Sequence, residues 1–141
     1  MVTALENADV SVALATEASV KAAHPDGQRR FYRFADGAFS NCNLYGLAGP
    51  KAVAAAESFR SGGQFAKKPM RMIMALGPIT LFRLLTQRLT LAETLARVSR
   101  GFRLDVAPVI LTDGSHAIDV DNARTFGCAE TLLRERSLRA A

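Results

Sequence analysis

The chain has 141 residues, of which 49% are apolar and 22% are charged, proportions that allow one buried core and exclude intrinsic disorder. Its two cysteines, Cys42 and Cys128, are too few for a disulfide framework or a cysteine-rich zinc site, and they favour reduced thiols in the cytoplasm. No secretion signal opens the sequence and the longest apolar stretch, 72–82, is too short to span a bilayer, so no membrane contact is expected.

Positive charge is concentrated in residues 60–103, which we call the basic block. The whole chain carries a net charge of +5, whereas the basic block holds nine Lys or Arg against one acid, Glu93. Two interpretations stay open, a solvated face of an amphipathic helix and a surface for an acidic or phosphate-bearing partner. Nucleic acid is the less favoured partner, because few aromatic side chains are interleaved with the cations.

The first half of the sequence predicts strands separated by turns. In chain order we expect a buried strand over 9–15, a connector over 16–23, a reversal over 24–27, and strands over 29–34 and 38–47. The last two strands flank Asp36 and Gly37, a pair typical of tight turns. They therefore indicate a hairpin or two neighbouring strands.

The second half of the sequence predicts mainly helices. We first expect a helix that starts at Gly49–Pro50 and continues over 51–59, and then two helices over 68–87 that meet at Gly77–Pro78. A helix from Thr90 to Gly101, strands over 103–112 and 116–120, and a helix over 123–136 follow. Thr90 and Glu93 have the spacing of a capping box. Strands alternating with helices predict a single α/β domain over 1–141, with a mostly parallel mixed sheet and an inserted hairpin.

Two aspartates stand directly before the last predicted helix. Alternation along a strand would put the carboxylates of Asp119 and Asp121 on the same face. Mg²⁺ is usually held by one or two carboxylates together with water and substrate phosphates. The pair therefore predicts a magnesium site, and the alternative is structural, with Asp121 or Asn122 capping the helix and Asp119 as an edge carboxylate.

Two further groups of polar side chains are candidates for substrate binding. Asn41 and Asn43 lie in an otherwise apolar strand, where buried amides need partners, so they could line a pocket. An exposed loop before the strand explains them equally well. Lys68 and Arg71 belong to a cluster of cations that could clamp a phosphate, or they are ordinary surface residues.

Taken in order, six segments resemble the C-terminal half of a MobA-like nucleotidyltransferase. The segments are 9–14, 30–37, 41–47, 67–73, 89–95 and 117–121. The most specific is the Asp-Val-Asp element at 119–121, which in this superfamily is usually followed by Thr-Pro-Glu-Asp-Leu. Here Asn-Ala-Arg-Thr-Phe follows instead, so the match ends at the acids.

The resemblance implies Mg²⁺-dependent transfer of a nucleoside monophosphate from an NTP to a phosphorylated or sugar-like acceptor, one related to the molybdenum cofactor in MobA-like enzymes. By position, Asp119 and Asp121 would be the catalytic metal ligands. Asn43 would line the acceptor side, and with Asn41, Lys68 and Arg71 it completes the set of predicted substrate-binding residues.

The glycine-rich loop with which such enzymes hold the triphosphate has no counterpart in this sequence. We therefore expect a partial GT-A-like fold that lacks its N-terminal nucleotide-binding half, inactive alone and prone to self-association through an uncovered sheet edge. The alternative is a non-catalytic interaction module whose basic block meets an acidic partner. Whether the chain acts as an enzyme by itself stays open.

Overall fold

The computed structural model describes residues 6–57 and 77–140. Its regular elements are β1 (Val10–Thr16), α1 (Glu17–Ala23), β2 (Tyr32–Phe34), β3 (Gly37–Leu47), α2 (Gly49–Glu57), α3 (Pro78–Leu85), α4 (Leu91–Phe102), β4 (Val106–Leu111), a 3₁₀ helix (Gly114–Ala117) and α5 (Ala123–Ala140). Within these described ranges, no helix is both long enough and apolar enough to cross a membrane.

The described strands form one mixed sheet in the order β2–β3–β1–β4. A two-residue connection makes β2 and β3 an antiparallel hairpin, as predicted. The N–H of Ala48 donates to the carbonyl of Asp9 at 2.7 Å, so β3 ends where β1 begins and the two run antiparallel. The N–H of Val10 donates to the carbonyl of Asp105 at 2.9 Å, which makes β1 and β4 parallel. The α/β class is confirmed, whereas a mostly parallel sheet is wrong for the described strands.

The described residues divide into two compact units. The first contains residues 6–12, 34–36, 45–57 and 77–109, and the second contains residues 13–33, 37–44 and 110–140. Each of the four described strands contributes residues to both units. That the whole chain forms a single domain stays a prediction.

In the first unit, two sets of hydrogen bonds fix the start of α4. The hydroxyl of Thr90 accepts from the N–H of Glu93 at 3.1 Å, and the Glu93 carboxylate accepts from the N–H of Thr90 at 2.9 Å. The predicted capping box is therefore confirmed. The carboxylate of Asp36, in the hairpin turn, accepts from the N–H of Leu91 at 2.9 Å. Because Leu89 and Leu91 are buried at this corner, the turn and the helix start form one packed region.

In the second unit, α1 packs on the 3₁₀ helix. The side chain of Thr16 accepts a hydrogen bond from the N–H of Ser19 at 3.1 Å and caps α1. The segment expected to be a connector is therefore helical. Val20 of α1 and Ala117 of the 3₁₀ helix are buried together with Ala15 of β1, and they form the core of this unit.

The segment after β4 differs from its prediction. Instead of a strand over 116–120, the chain forms the 3₁₀ helix and then an irregular stretch over 118–121. Asp113 is the cause, because its side chain accepts from the N–H of Ser115 at 2.9 Å and starts a turn rather than a hairpin. α3 begins at Pro78 as predicted, whereas the helix expected before Gly77 lies outside the described residues.

Candidate functional site

On β3, Cys42 lies between the two asparagines that were predicted to bind substrate, Asn41 and Asn43. Cys42 packs against the core of the second unit, so Asn41, its extended neighbour, belongs to the opposite face of the strand. Burial raises the pKa of the Cys42 thiol, and a thiol that stays protonated is a poor nucleophile. On β3, the candidates for a functional role are therefore the two asparagines, as binding residues, and not the cysteine.

Asn43 has a left-handed backbone conformation that is uncommon outside glycine. Its φ is 52°, a value that asparagine tolerates better than most residues. Asn41 stabilises it, because the N–H of Asn43 donates to Oδ1 of Asn41 at 3.0 Å and Nδ2 of Asn41 donates to Oδ1 of Asn43 at 3.1 Å. One hydrogen bond therefore holds the backbone of Asn43 and the other holds its side chain, both through Asn41.

Asn43 also contacts the aspartate predicted to bind metal. Its Nδ2 donates to Oδ2 of Asp119 at 2.9 Å, although 76 positions separate the two residues. Both residues are exposed. Among the described residues, the Asp119 carboxylate accepts a hydrogen bond through Oδ2 alone. The structure thus brings together three of the predicted site residues, Asn41, Asn43 and Asp119.

Asp121 is hydrogen-bonded to the start of α5 instead. Its Oδ1 accepts from the Thr125 hydroxyl at 3.3 Å and from the Asn122 amide. Oδ1 of Asn122 accepts from the N–H of Thr125 at 3.1 Å, so Asn122 is the N-cap of α5. Because residues 118–121 are not a strand, alternation no longer explains why both carboxylates would share a face. That Asp121 and Asp119 bind the same cation stays a prediction.

Thr125 is the residue of this region that the sequence analysis missed. It is 3% exposed, and its hydroxyl accepts from the N–H groups of Asp121 and Asn122 at 3.2 and 3.3 Å. The spacing of Asn122 and Thr125, an N-cap residue and a hydrogen-bonding side chain three positions later, was the available signal. Thr125 fixes the local backbone that carries Asp121.

The oxygen atoms of Asp119 suit a hard cation, such as Mg²⁺, that is bound by few protein ligands. Mg²⁺ commonly uses one or two carboxylates and completes its shell with water and phosphate oxygens, and the exposed carboxylate of Asp119 suits that role. Residues 6–57 and 77–140 contain no group of three or more His, Cys, Asp or Glu that could hold a metal ion. With no such group among the described residues, a cation at Asp119 would take water or phosphate oxygens as further ligands.

Two predicted substrate-binding residues and four of the nine cations of the basic block lie outside the described residues. Lys68 and Arg71 lie in 58–76, outside the described residues, as do two more of the nine cations of the basic block. Within the described part, Arg97 donates to the hydroxyl of Thr80 at 3.0 Å, so it takes part in packing α4 against α3.

A separate groove lies beside α5 in the second unit. Its volume is about 170 Å³, and it is lined by Ser115, His116, Ile118, Ala129, Leu132, Leu133 and Arg136. The Arg136 guanidinium donates to Asp113 at 2.8 Å and to the Ser115 hydroxyl at 2.6 Å. Hydrogen bonds from Ser115 hold the pKa of Asp113 below its ordinary value. The cation of this groove is therefore already paired, and none of the predicted site residues lines it.

The fold is similar to that of a solved structure described as a hypothetical transferase from Thermus thermophilus. The two share 25% sequence identity with a TM-score of 0.72, over 86% of this chain and 52% of that protein. The chain thus spans about half the length of the protein it matches. No protein-family model and no curated protein matches the sequence.

Proposed function

We propose that this chain forms the acceptor side of a Mg²⁺-dependent nucleotidyltransferase. The observation that carries the proposal is the hydrogen bond of 2.9 Å between Asn43 and Asp119. The family resemblance implies that Asn43 lies on the acceptor side and Asp119 at the metal, and a contact between the two residues is expected if they share one site. The similarity of fold to a hypothetical transferase supports the same class of reaction.

In the proposed reaction, an acceptor phosphate oxygen attacks the α-phosphorus of an NTP. A new P–O bond forms, the bond between the α- and β-phosphates breaks, and pyrophosphate leaves with the electron pair. Bound Mg²⁺ would supply positive charge to the phosphate oxygens as negative charge moves onto them. Asp119, joined by Asp121 in the prediction, would hold the cation, with Asn41 and Asn43 beside it.

The test is pyrophosphate release by the complete protein in which this chain occurs. It is incubated with each NTP, Mg²⁺ and a panel of phosphorylated acceptors, and pyrophosphate is measured with time. Removing a group that stabilises transition-state charge commonly lowers kcat about a hundredfold or more, so we expect a loss of this size for Asp119→Asn. The matched control is Asp26→Asn, because Asp26 is an exposed carboxylate whose ion pair, with Arg29 at 3.7 Å, lies outside the site.

Two results would contradict the proposal. One is unchanged turnover in Asp119→Asn. The other is pyrophosphate release that does not require a divalent cation. Equal losses in Asp119→Asn and Asp26→Asn would show a general effect of removing surface charge, and would count against a specific role of Asp119.

A further inference from the structure

We infer that Asn43 is a positioning residue that holds the Asp119 carboxylate for a divalent cation, rather than a contact to the acceptor. This inference rests on the proposed function, in which Asp119 holds the cation. It differs from the expectation that the family resemblance gives, which places Asn43 against the acceptor.

Both ends of the Asn43 side chain already have hydrogen-bond partners in the protein. A carboxamide has one oxygen acceptor and two N–H donors. Its oxygen accepts from Asn41 at 3.1 Å, and its nitrogen donates to Asp119 at 2.9 Å. Because an ionised carboxylate can only accept, the nitrogen must face Asp119 and the oxygen must face Asn41. One N–H of the nitrogen and one lone pair of the oxygen remain for any other partner.

The same bonds fix the direction of the Asp119 carboxylate. Asn43 binds Oδ2, and among the described residues Oδ1 accepts no hydrogen bond, so Oδ1 is the atom best placed for a cation. The backbone of Asn43 is itself held by Asn41 at 3.0 Å in a conformation with φ of 52°. Asn41 therefore orients Asn43, and Asn43 orients Asp119.

The first test measures Mn²⁺ affinity by electron paramagnetic resonance, with Mn²⁺ as the probe in place of Mg²⁺. Glycine adopts a positive φ without strain, so Asn43→Gly removes the amide while the backbone is kept. Loss of a group that orients a metal ligand typically weakens affinity by about 10- to 100-fold, and we expect this for Asn43→Gly. Gln87→Gly is the matched control, because Gln87 is exposed, has φ of 55° and lies in the first unit.

The double variant separates positioning from an independent effect. If Asn43 acts through Asp119, then Asn43→Gly combined with Asp119→Asn binds Mn²⁺ no more weakly than Asp119→Asn alone. Loss of binding in Asp119→Asn with full binding in Asn43→Gly overturns this inference and leaves the proposed function standing. Full binding in Asp119→Asn overturns the proposed function, and the inference with it.

The second test distinguishes positioning from acceptor contact by kinetics. For Asn43→Gly we expect a tenfold or greater increase in the Mg²⁺ concentration that gives half-maximal rate, an estimate set by the same loss of metal affinity. At saturating Mg²⁺ the KM for the acceptor should equal that of the parent protein. A raised acceptor KM at saturating Mg²⁺ would assign Asn43 to the acceptor and overturn the inference.

Discussion

Gly114 and Asn43 occupy positions where few other residues fit, for different reasons. Asn43 is restricted by its backbone, which has a positive φ. Gly114 is restricted by packing, since a Cβ on it would lie 2.2 Å from the carbonyl carbon of Ser19 and 2.3 Å from the nitrogen of Val20. These are backbone atoms of α1, so rotating a side chain cannot make room. The position of the 3₁₀ helix on α1 therefore depends on the missing side chain at Gly114.

We predict that Gly114→Ala destabilises the protein by about 1–3 kcal/mol, the usual range for forcing an extra carbon into a packed site. The free energy of unfolding is measured by urea denaturation. The control is Gly127→Ala in α5, where an added Cβ would meet nothing within 4 Å. Alanine is the better helix former, so the control should be more stable by about 0.5–1 kcal/mol. A Gly114→Ala protein as stable as its parent would show that α1 and the 3₁₀ helix do not pack as described.

At the scale of elements, the sequence predicted a helix correctly where neighbouring residues alone determine its start. The capping box of Thr90 and Glu93 and the entry of Pro78 into α3 are local, and both predictions are confirmed. The helix over 17–23 was missed because its cap, Thr16, continues directly from a strand. The strand expected over 116–120 was wrong because apolar alternation there is overridden by the turn that begins at Asp113.

We predict that Thr90→Ala destabilises the protein by about 1 kcal/mol, the typical cost of losing an N-cap side chain. The variant leaves the N–H of Glu93 without its acceptor. The measurement is thermal unfolding followed by circular dichroism. The matched control is Thr131→Ala, an exposed threonine inside α5 that bonds only to the preceding turn among the described residues, and it should be no less stable than the parent. Equal Tm values for the two variants would contradict the role of the capping box.

At the scale of the whole molecule, the site depends on residues that the sequence keeps far apart. Composition and periodicity predicted the α/β class but not the strand directions, because those depend on which strands become neighbours. The contact between Asn43 and Asp119 was not predicted from spacing either. In the sequence, only the family resemblance places Asn43 and Asp119 in one site. The physical argument for pairing Asp119 with Asp121 is strand alternation, and it does not apply because residues 118–121 are irregular.

The most direct test of the metal site is a crystal structure of the complete protein with Mn²⁺ and a non-hydrolysable NTP analogue. Anomalous scattering distinguishes Mn²⁺ from water and from lighter ions. We predict an anomalous peak about 2 Å from a carboxylate oxygen of Asp119, the distance expected for a hard divalent ion, with Asn43 still bonded to the other oxygen. A peak held by other residues, with Asp119 bonded to Asn43 alone, would contradict the proposed function.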